Sequence, residues 1–376
     1  MNEQWNYSAF SEIFEWRGKS TIKSGDGKQQ GRYKMFVCSD TDIKKYDSFL
    51  EDQESIVFGT GGKPSCHYVN EPFAYSTDCV VAQAKTKLHV KFYYYFFRQR
   101  NLGLLQDTFT GSGLQHTSKK KIEKILVPVL SLPEQARIVA RIEELFSQLE
   151  SGVETLKQTK AQLAVYRQAV LKEAFAHIEK KASIRDLTTL VTSGSRGWAQ
   201  YYSDRGALFI RIGNLTRTGI EINFDDIQNV SLPDRAEGLR SRLQPNDVLI
   251  SITADLGSIG LVPETIPEAY INQHIAVVRF QNSNQGKFMA WYLRSDWGQK
   301  DLLKNKRGAG KMGLGLDDIR DTPVPVVSDD EAAEVLAEIE SRLSVCDQIE
   351  QTVDAALQQA EALRQSILKK AFEGGL

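Results

Sequence analysis

A few short stretches combine residue types and spacing that could carry chemistry. Gly308-Ala-Gly-Lys-Met312 has the glycine-and-lysine ending of a loop that cradles phosphate oxygens with backbone N–H groups. Such a loop needs a glycine where Asn305 stands and a hydroxyl where Met312 stands, so the stretch is a basic turn. Phe58-Gly-Thr-Gly-Gly62 has the glycines of a dinucleotide loop. It lacks the following helix and the acidic residue about twenty positions on that would hold a ribose. The five histidines, His67, His89, His116, His177 and His274, stand at no metal-ligand spacing. A hydrogen-bonded structural histidine is the simpler account of His274 in Asn272-Gln-His274. No nucleophile elbow occurs, and no Asn/Asp-Pro-Pro-aromatic clamp for a target amine. No catalytic group, metal site or cofactor is expected of this chain itself.

The supply of groups for holding a polyanion is better. The first half offers Lys19, Lys23, Lys28, Arg32 and Lys34, then Lys63, Ser65 and His67, then Lys119-Lys120-Lys121. The second offers Ser195, Arg196 and Trp198 in Ser193-Gly-Ser-Arg-Gly-Trp198, then Tyr201, Tyr202, Arg211, Asn214 and Arg217. It continues with Arg240, Arg242 and the basic run from Lys304 to Lys311, which holds Lys306 and Arg307. Lysine and arginine neutralise phosphates, while Arg, Asn and Ser read base edges in the major groove of DNA. Any one of these is more simply a solvated surface charge; the clusters argue more strongly, because they fall at matching places in the two halves. The formal net charge of −1 hides an uneven distribution. Residues 1–126 carry +4, 127–182 and 183–323 carry +1 each, and 324–376 carry −7. Nearly all the acid surplus lies in the last segment, which cannot face a nucleic acid.

The elements that must position these groups are written twice. Val127–Phe175 aligns without a gap on Val324–Phe372, at an offset of 197 residues, with 18 identities in 49 pairs. Both copies open on Val-Pro-Val and end on Arg-Gln-x-x-Leu-Lys-x-Ala-Phe. The repeat reaches back with small shifts: Ala74-Tyr75 pairs with Ala269-Tyr270, and Phe96-Phe97-Arg98 with Tyr292-Leu293-Arg294. A unit duplicated within one chain is expected to pack about a pseudo-two-fold axis.

Each copy predicts a globular half and a long helix. From Pro133 to about Ile178, Ile142, Leu149, Leu156, Leu163 and Val170 recur every seven residues, and only Gly152 disfavours a helix. The second copy gives Ile339, Cys346, Val353, Ala360 and Ile367. Each stripe complements the other, which predicts an antiparallel coiled coil. About 45 residues at 1.5 Å rise span roughly 65 Å, near two turns of B-DNA at about 34 Å each. Strands are expected at Tyr33–Cys38, Ser55–Phe58, Cys79–Gln83, Leu208–Ile212, Val248–Ile252 and Ile275–Phe280, and short helices at Lys91–Asn101 and Gly286–Ser295. The expected fold class is α+β: two mixed α/β domains, 1–126 and 183–323, and two helical spacers, 127–182 and 324–376. The hydrophobic content of 41% supports a core in each. Four scattered cysteines, no apolar run of membrane length and no leader-like start point to the cytoplasm and to no membrane partner.

Leu132-Pro-Glu-Gln-Ala-Arg-Ile-Val-Ala-Arg-Ile-Glu-Glu-Leu-Phe146 and Tyr166-Arg-Gln-Ala-Val-Leu-Lys-Glu-Ala-Phe175 closely resemble the central region of type I restriction–modification specificity subunits. Gly194-Ser-Arg-Gly-Trp198, Phe209-Ile-Arg-Ile-Gly-Asn-Leu215 and Tyr270-Ile-Asn-Gln-His274 resemble that family's target-recognition domain, and Gly31-Arg-Tyr33, Tyr68-Val-Asn70 and Phe73-Ala-Tyr-Ser-Thr-Asp78 a looser form of it. The resemblance implies a non-catalytic subunit whose two domains each read half of a split, asymmetric double-stranded DNA target. It implies that the helical regions set the spacing and dock two methyltransferase and two restriction subunits. S-adenosylmethionine, ATP and magnesium would then belong to those partners alone. The second helical region begins Asp329-Asp330-Glu331-Ala332 in place of Leu-Pro-Glu-Gln, a departure from the pattern. Two other readings stay open on the residues: a specificity module of another phage-defence assembly, and a coiled-coil adaptor whose domains bind protein.

Overall fold

A computed structural model describes residues 5–233, 240–304, 306 and 312–375. The chain divides into two compact units, Met1–Lys157 with Asp354–Leu376, and Gln158–Val353. The division falls inside two long helices, Leu132–Phe175 and Asp329–Glu373. Each unit therefore holds one globular half and one end of each long helix.

In the first unit, a four-stranded antiparallel sheet runs Phe14–Trp16, Cys79–Ala84, Ser55–Gly59, Cys66–Val69. Ser55–Gly59 is buried throughout, as a continuous apolar run with a neighbour on each side should be. A smaller sheet runs Ile43–Tyr46, Tyr33–Phe36, Phe73–Tyr75, its last pair parallel. The helix Val90–Arg98 buries Phe92, Tyr93, Phe96 and Phe97. These join Phe10, Phe14 and Phe58 in one core with Ile138, Ile142 and Phe146 of the first long helix and Ile367, Leu368 and Phe372 of the second. Left-handed backbone at Arg100, Asn101 and Leu102 stops the short helix before the predicted end at Asn101.

The second unit repeats this topology. Its larger sheet runs Thr188–Ser193, Ile275–Phe280, Val248–Ser251, Ile259–Leu261, all antiparallel. Its smaller sheet places Gln228–Val230, Ala207–Ile210 and Ala269–Ile271 in the order of their first-unit counterparts, again ending in a parallel pair, and adds the short strand Tyr202–Ser203 antiparallel to Gln228–Val230. The helix Gly286–Arg294 takes the place of Val90–Arg98. Phe175 of the first long helix packs its ring 5.3 Å from those of Phe288 and Tyr292.

Two expectations change. The Val-Pro-Val lead-ins are strands: Leu126–Val129 pairs antiparallel with Asn6–Ala9, and Pro323–Pro325 with Lys181–Ser183. The predicted strand Leu208–Ile212 becomes Ala207–Ile210 followed by a helical turn at Ile212–Asn214. Gly152 does not interrupt its helix.

The long helices run antiparallel within each unit. In the second unit Arg167 Nη2 reaches Asp347 at 2.7 Å and Glu350 at 2.9 Å, and Arg342 Nη1 reaches Glu173 at 2.8 Å. In the first, Arg364 Nη2 reaches Glu150 at 3.3 Å and its guanidinium lies 4.4 Å over the Phe146 ring. The heptad stripe divides its labour. Ile142 and Ile367 enter the first globular core, and Val170 and Ile339 the second. Leu163 and Val353 are buried. Half-buried Leu149 and Leu156 line an open cleft with Ala356, Ala360 and Leu363.

Candidate nucleic-acid interface

In the first unit the candidate groups fall into two clusters. Lys28 and Lys34 are exposed but paired, with Asp47 at 2.5 Å and Glu71 at 2.6 Å. The Asp47 hydrogen bond and charge raise the Lys28 pKa, so its charge is secure at any physiological pH. Arg32 lies 5.3 Å from the Tyr33 ring centroid and has no ion-pair partner among the described residues.

The second cluster is built from two knitted loops. Gly62 N donates to Gln115 O and Thr117 N to Thr60 O, both at 2.9 Å, and Gly61 and Thr110 each bridge to His116. Lys63 and Lys120 stand exposed beside this edge. Lys119 donates to Arg17 O at 3.1 Å and lies 5.5 Å from the Trp16 ring centroid, so it is partly tied to the fold. Ser65 and His67 are held inward. Ser65 is fully buried, and a Cβ on Gly59 would lie 2.2 Å from its Oγ. His67 Nε2 contacts Ser39 O at 2.8 Å, its ring packs on Phe36, and burial pushes its pKa down. A lone neutral imidazole so placed supports the sheet rather than meeting a phosphate.

The second unit presents its groups on three loops. Gly194 passes so close to Ile271 O that a Cβ would stand 2.2 Å from it, which brings the Ser193–Trp198 loop against the small sheet. Trp198 is 5% exposed, stacked 4.9 Å from Phe209 and tilted against Tyr270 at 5.3 Å. It anchors the loop, Tyr201 packs beside it, and Arg196 is left exposed. Ser195 Oγ is buried with no partner among the described residues.

Asn214 is likewise buried and organises the next loop. Its Oδ1 accepts from Arg211 N at 2.8 Å, and its Nδ2 donates to Asn223 O and Asp226 O at 2.9 and 3.0 Å. Arg211 Nη2 lies 3.4 Å from an Asp226 carboxylate oxygen. Arg217 Nε donates to Asp255 at 2.8 Å and its Nη2 to Leu256 O at 2.9 Å. Lys306 is exposed; Arg307 and Lys311 lie outside the described residues.

Two cavities open between these loops. One, of about 430 Å³, is lined by Arg211, Asn214, Asn223, Asp226 and His274; the other, of about 770 Å³, by Arg217, Thr253, His274, Leu303 and Lys306. His274 borders both. Its Nδ1 is 2.6 Å from Thr253 Oγ1 and its Nε2 2.7 Å from Gln273 Nε2. His274 is thus hydrogen-bonded on both ring nitrogens, as a structural histidine is, and Asn223 and Thr253 join it in lining these cavities. The dense polar run Asn272-Gln-His274 is the sequence signal for His274, and isolated Asn223 and Thr253 give none. Among the described residues, no group of three His, Cys, Asp or Glu could hold a metal, and no helix is long and apolar enough to cross a membrane.

The geometry offers hydrogen-bonding loops and cations in both units, each on a buried sheet scaffold. Comparison with known proteins agrees with this layout. Residues 2–162 and 220–359 match the family described as the type I restriction modification DNA specificity domain. The chain is 25% identical over 329 residues to the EcoBI type I restriction enzyme specificity subunit of Escherichia coli, covering 79% of this chain and 68% of that one. It is 26% identical over 305 residues to the StySPI specificity subunit of Salmonella potsdam, covering 75% and 63%. With the EcoDI specificity subunit of Escherichia coli it shares 23% over 396 residues, covering 96% and 85%. In fold it matches a chain from a solved type I R-M system with a TM-score of 0.76 at 17% identity, covering 100% of this chain and 99% of that one. It also matches the HsdS subunit from Thermoanaerobacter tengcongensis, with a TM-score of 0.52 at 18% identity, covering 100% and 98%.

Proposed function

This chain belongs to the type I restriction modification DNA specificity family and is a DNA target-recognition specificity subunit; from that premise we propose that it reads a split, asymmetric duplex target and performs no chemistry itself. Residues 1–126 read one half of the target and residues 183–323 the other. Residues 127–182 and 324–376 are spacers that fix the separation of the halves. They dock two methyltransferase subunits, and two restriction subunits join that assembly. S-adenosylmethionine, ATP and magnesium act in those partners, and the complex works in the cytoplasm.

The observation that carries this proposal is the doubled topology. Each unit has a four-stranded sheet of the same order, a second sheet that shares three strands ending in a parallel pair, and loops bearing Lys or Arg beside that second sheet. Two equivalent scaffolds with different loop residues suit two different half-targets. Arg196, Arg211, Arg217 and Lys306 in the second unit, and Arg32, Lys63 and Lys120 in the first, are the cations we place on the DNA.

Exchange of residues 183–323 for those of a relative tests the proposal inside the assembled methyltransferase. Methylation-sensitive sequencing of host DNA should show one half of the motif replaced and the other retained. An unchanged motif would overturn it for that half, and methyl transfer by the purified chain alone would overturn the non-catalytic assignment.

A further inference from the structure

In the second unit the turn Asn272-Gln-His274 joins Ala269–Ile271 of the smaller sheet to Ile275–Phe280 of the larger one. Both the backbone and the side chain of Gln273 are fixed there. Asn272 Oδ1 accepts from His274 N at 3.1 Å, which closes the backbone around Gln273. Gln273 Nε2 lies 2.7 Å from His274 Nε2. An amide nitrogen only donates, so His274 Nε2 accepts. The ring proton then sits on Nδ1, which donates to Thr253 Oγ1 at 2.6 Å. The chain of bonds from Gln273 through His274 to Thr253 holds the amide in one orientation.

That orientation leaves one donor and one acceptor unspent. The second N–H of Nε2 and the oxygen Oε1 have no partner among the described residues, and Gln273 is half-buried. Its neighbours face the loops that carry the cations. Asn272 and His274 line the 430 Å³ cavity with Arg211, and His274 also lines the 770 Å³ cavity with Lys306. A Cβ on Gly194 would collide with Asn272 O, so the Ser193–Trp198 loop, which bears exposed Arg196, lies against the same turn. A phosphate only accepts hydrogen bonds, and a free Oε1 has nothing to gain from one. The major-groove edge of adenine uses both groups, since its N6 amino group donates and its N7 accepts.

The first unit has the same turn with a different side chain. Asp78 O accepts from Thr60 N at 2.9 Å, as His274 O accepts from Ile252 N at 2.9 Å. Cys79 and Ile275, the next residues, head matching strands. Thr77 therefore stands where Gln273 does, and its single hydroxyl cannot pair with N6 and N7 as an amide can. Two equivalent turns that differ at this side chain suit two different half-targets. We propose that Gln273 reads an adenine in the second half of the target through N6 and N7, with His274 and Thr253 as positioning residues, and that the first unit has no counterpart of this contact. The proposal rests on the DNA-reading assignment above.

The test uses the full-length chain, alone and in the assembled methyltransferase, with the variants Gln273→Ala, Gln273→Glu and Thr253→Val. Methylation-sensitive sequencing should show Gln273→Ala relaxing one adenine position in the half-motif read by residues 183–323, with the other half unchanged. The target duplex should bind about 5- to 150-fold more weakly, and an unrelated duplex as before. The slope of log affinity against log salt should stay at the wild-type value, because a neutral side chain releases no counterion. Gln273→Glu keeps the length but presents only acceptors, so the same position should turn from adenine towards cytosine, whose N4 amino group donates. Thr253→Val should relax that position too, by less than Gln273→Ala does. Equal weakening of both duplexes would overturn the reading and leave a backbone contact in its place. A fall in Tm for Gln273→Ala with the motif intact would overturn it in favour of a structural role, and relaxation at a G·C position would exclude adenine. If the wild-type chain does not distinguish the two duplexes, the DNA-reading assignment fails first. If it does and Gln273→Ala keeps the full distinction, the Gln273 reading alone fails.

Discussion

The ring of Phe372 lies 5.2 Å from that of Phe92, at 55°. The last turn of the second long helix thus closes the core of the first globular half. Phe175 and Phe288, 5.3 Å apart, make the same closure in the second unit. This exchange explains why the two copies agree so closely at Arg-Gln-x-x-Leu-Lys-x-Ala-Phe. The motif ends each helix on the aromatic that seals a globular core, while the residues between have only a partner helix to satisfy.

Phe372→Ala should therefore weaken the first unit. Its ring is 2% exposed and touches Trp5, Phe92 and Phe96, and truncating a buried Phe costs about 3–5 kcal/mol. Hydrogen exchange followed by mass spectrometry should show lost protection in Ser55–Gly59 and Val90–Arg98. Protection in Val248–Ser251 and Ile275–Phe280 should change far less. Equal loss in both sets would show that the two units unfold as one.

Part of this architecture was legible in residues alone. The strand Ile275–Phe280 and the start of Val248–Ser251 follow from β-branched runs bounded by turns, and the 197-residue offset announces two equivalent halves. The strand Asn6–Ala9 was not legible. Its Asn-Tyr-Ser-Ala sequence has no strand pattern, and its partner Leu126–Val129 lies more than a hundred residues away. The heptad stripe was visible, but its division between globular cores and helix seam depends on where each helix enters a core, which periodicity does not encode. For the proposed interface, the residues Ser193-Gly-Ser-Arg-Gly-Trp198 do not by themselves separate exposed Arg196 from buried Trp198, its near neighbour. Exposure is decided by the Phe209 and Tyr270 rings, on two strands whose parallel pairing joins positions about sixty residues apart.

A buried ion pair in the second unit gives a sharper energetic test. Arg279 holds Asp247 with two bonds of 2.7 Å, and the Asp247 side chain is 1% exposed. Arg279→Met leaves a buried carboxylate unpaired and should cost about 3–5 kcal/mol. Adding Asp247→Leu should restore much of that loss, because desolvation of the lone charge then disappears. Denaturant unfolding of the two single variants and the double variant measures the coupling. Additive losses would show that the pair contributes nothing beyond its separate members.

Acid should loosen the Arg217 loop. The Arg217 hydrogen bond holds the Asp255 carboxyl below the usual carboxylate range; burial opposes this, and a hydrogen bond from Ser258 at 2.8 Å adds to it. Because the folded pKa is lowered, the stabilisation is complete above the unfolded value of about 3.9. It is lost as pH falls through the lower folded value. The stability difference between wild type and Asp255→Asn should be constant from pH 7 to pH 5 and shrink below about pH 4. A difference that grows on acidification would contradict the assigned direction.

Trp198 and Arg196 sit two residues apart and should fail in different ways. Trp198 is stacked on Phe209 inside the small sheet's core, so Trp198→Ala should cost about 3–5 kcal/mol and impair DNA binding only through the unfolded fraction. Trp198→Phe keeps an aromatic face on Phe209 and should retain most of the stability and the full salt dependence of binding. Arg196 is exposed and pairs with nothing among the described residues. Arg196→Ala should leave Tm unchanged while lowering the salt slope by about 0.9, the signature of one lost phosphate contact. Base readout by Arg196 would instead weaken the target duplex by about 1–3 kcal/mol and spare the unrelated one. Comparing the two duplexes therefore separates an anchoring tryptophan, a phosphate-holding arginine and a base-reading arginine within one loop.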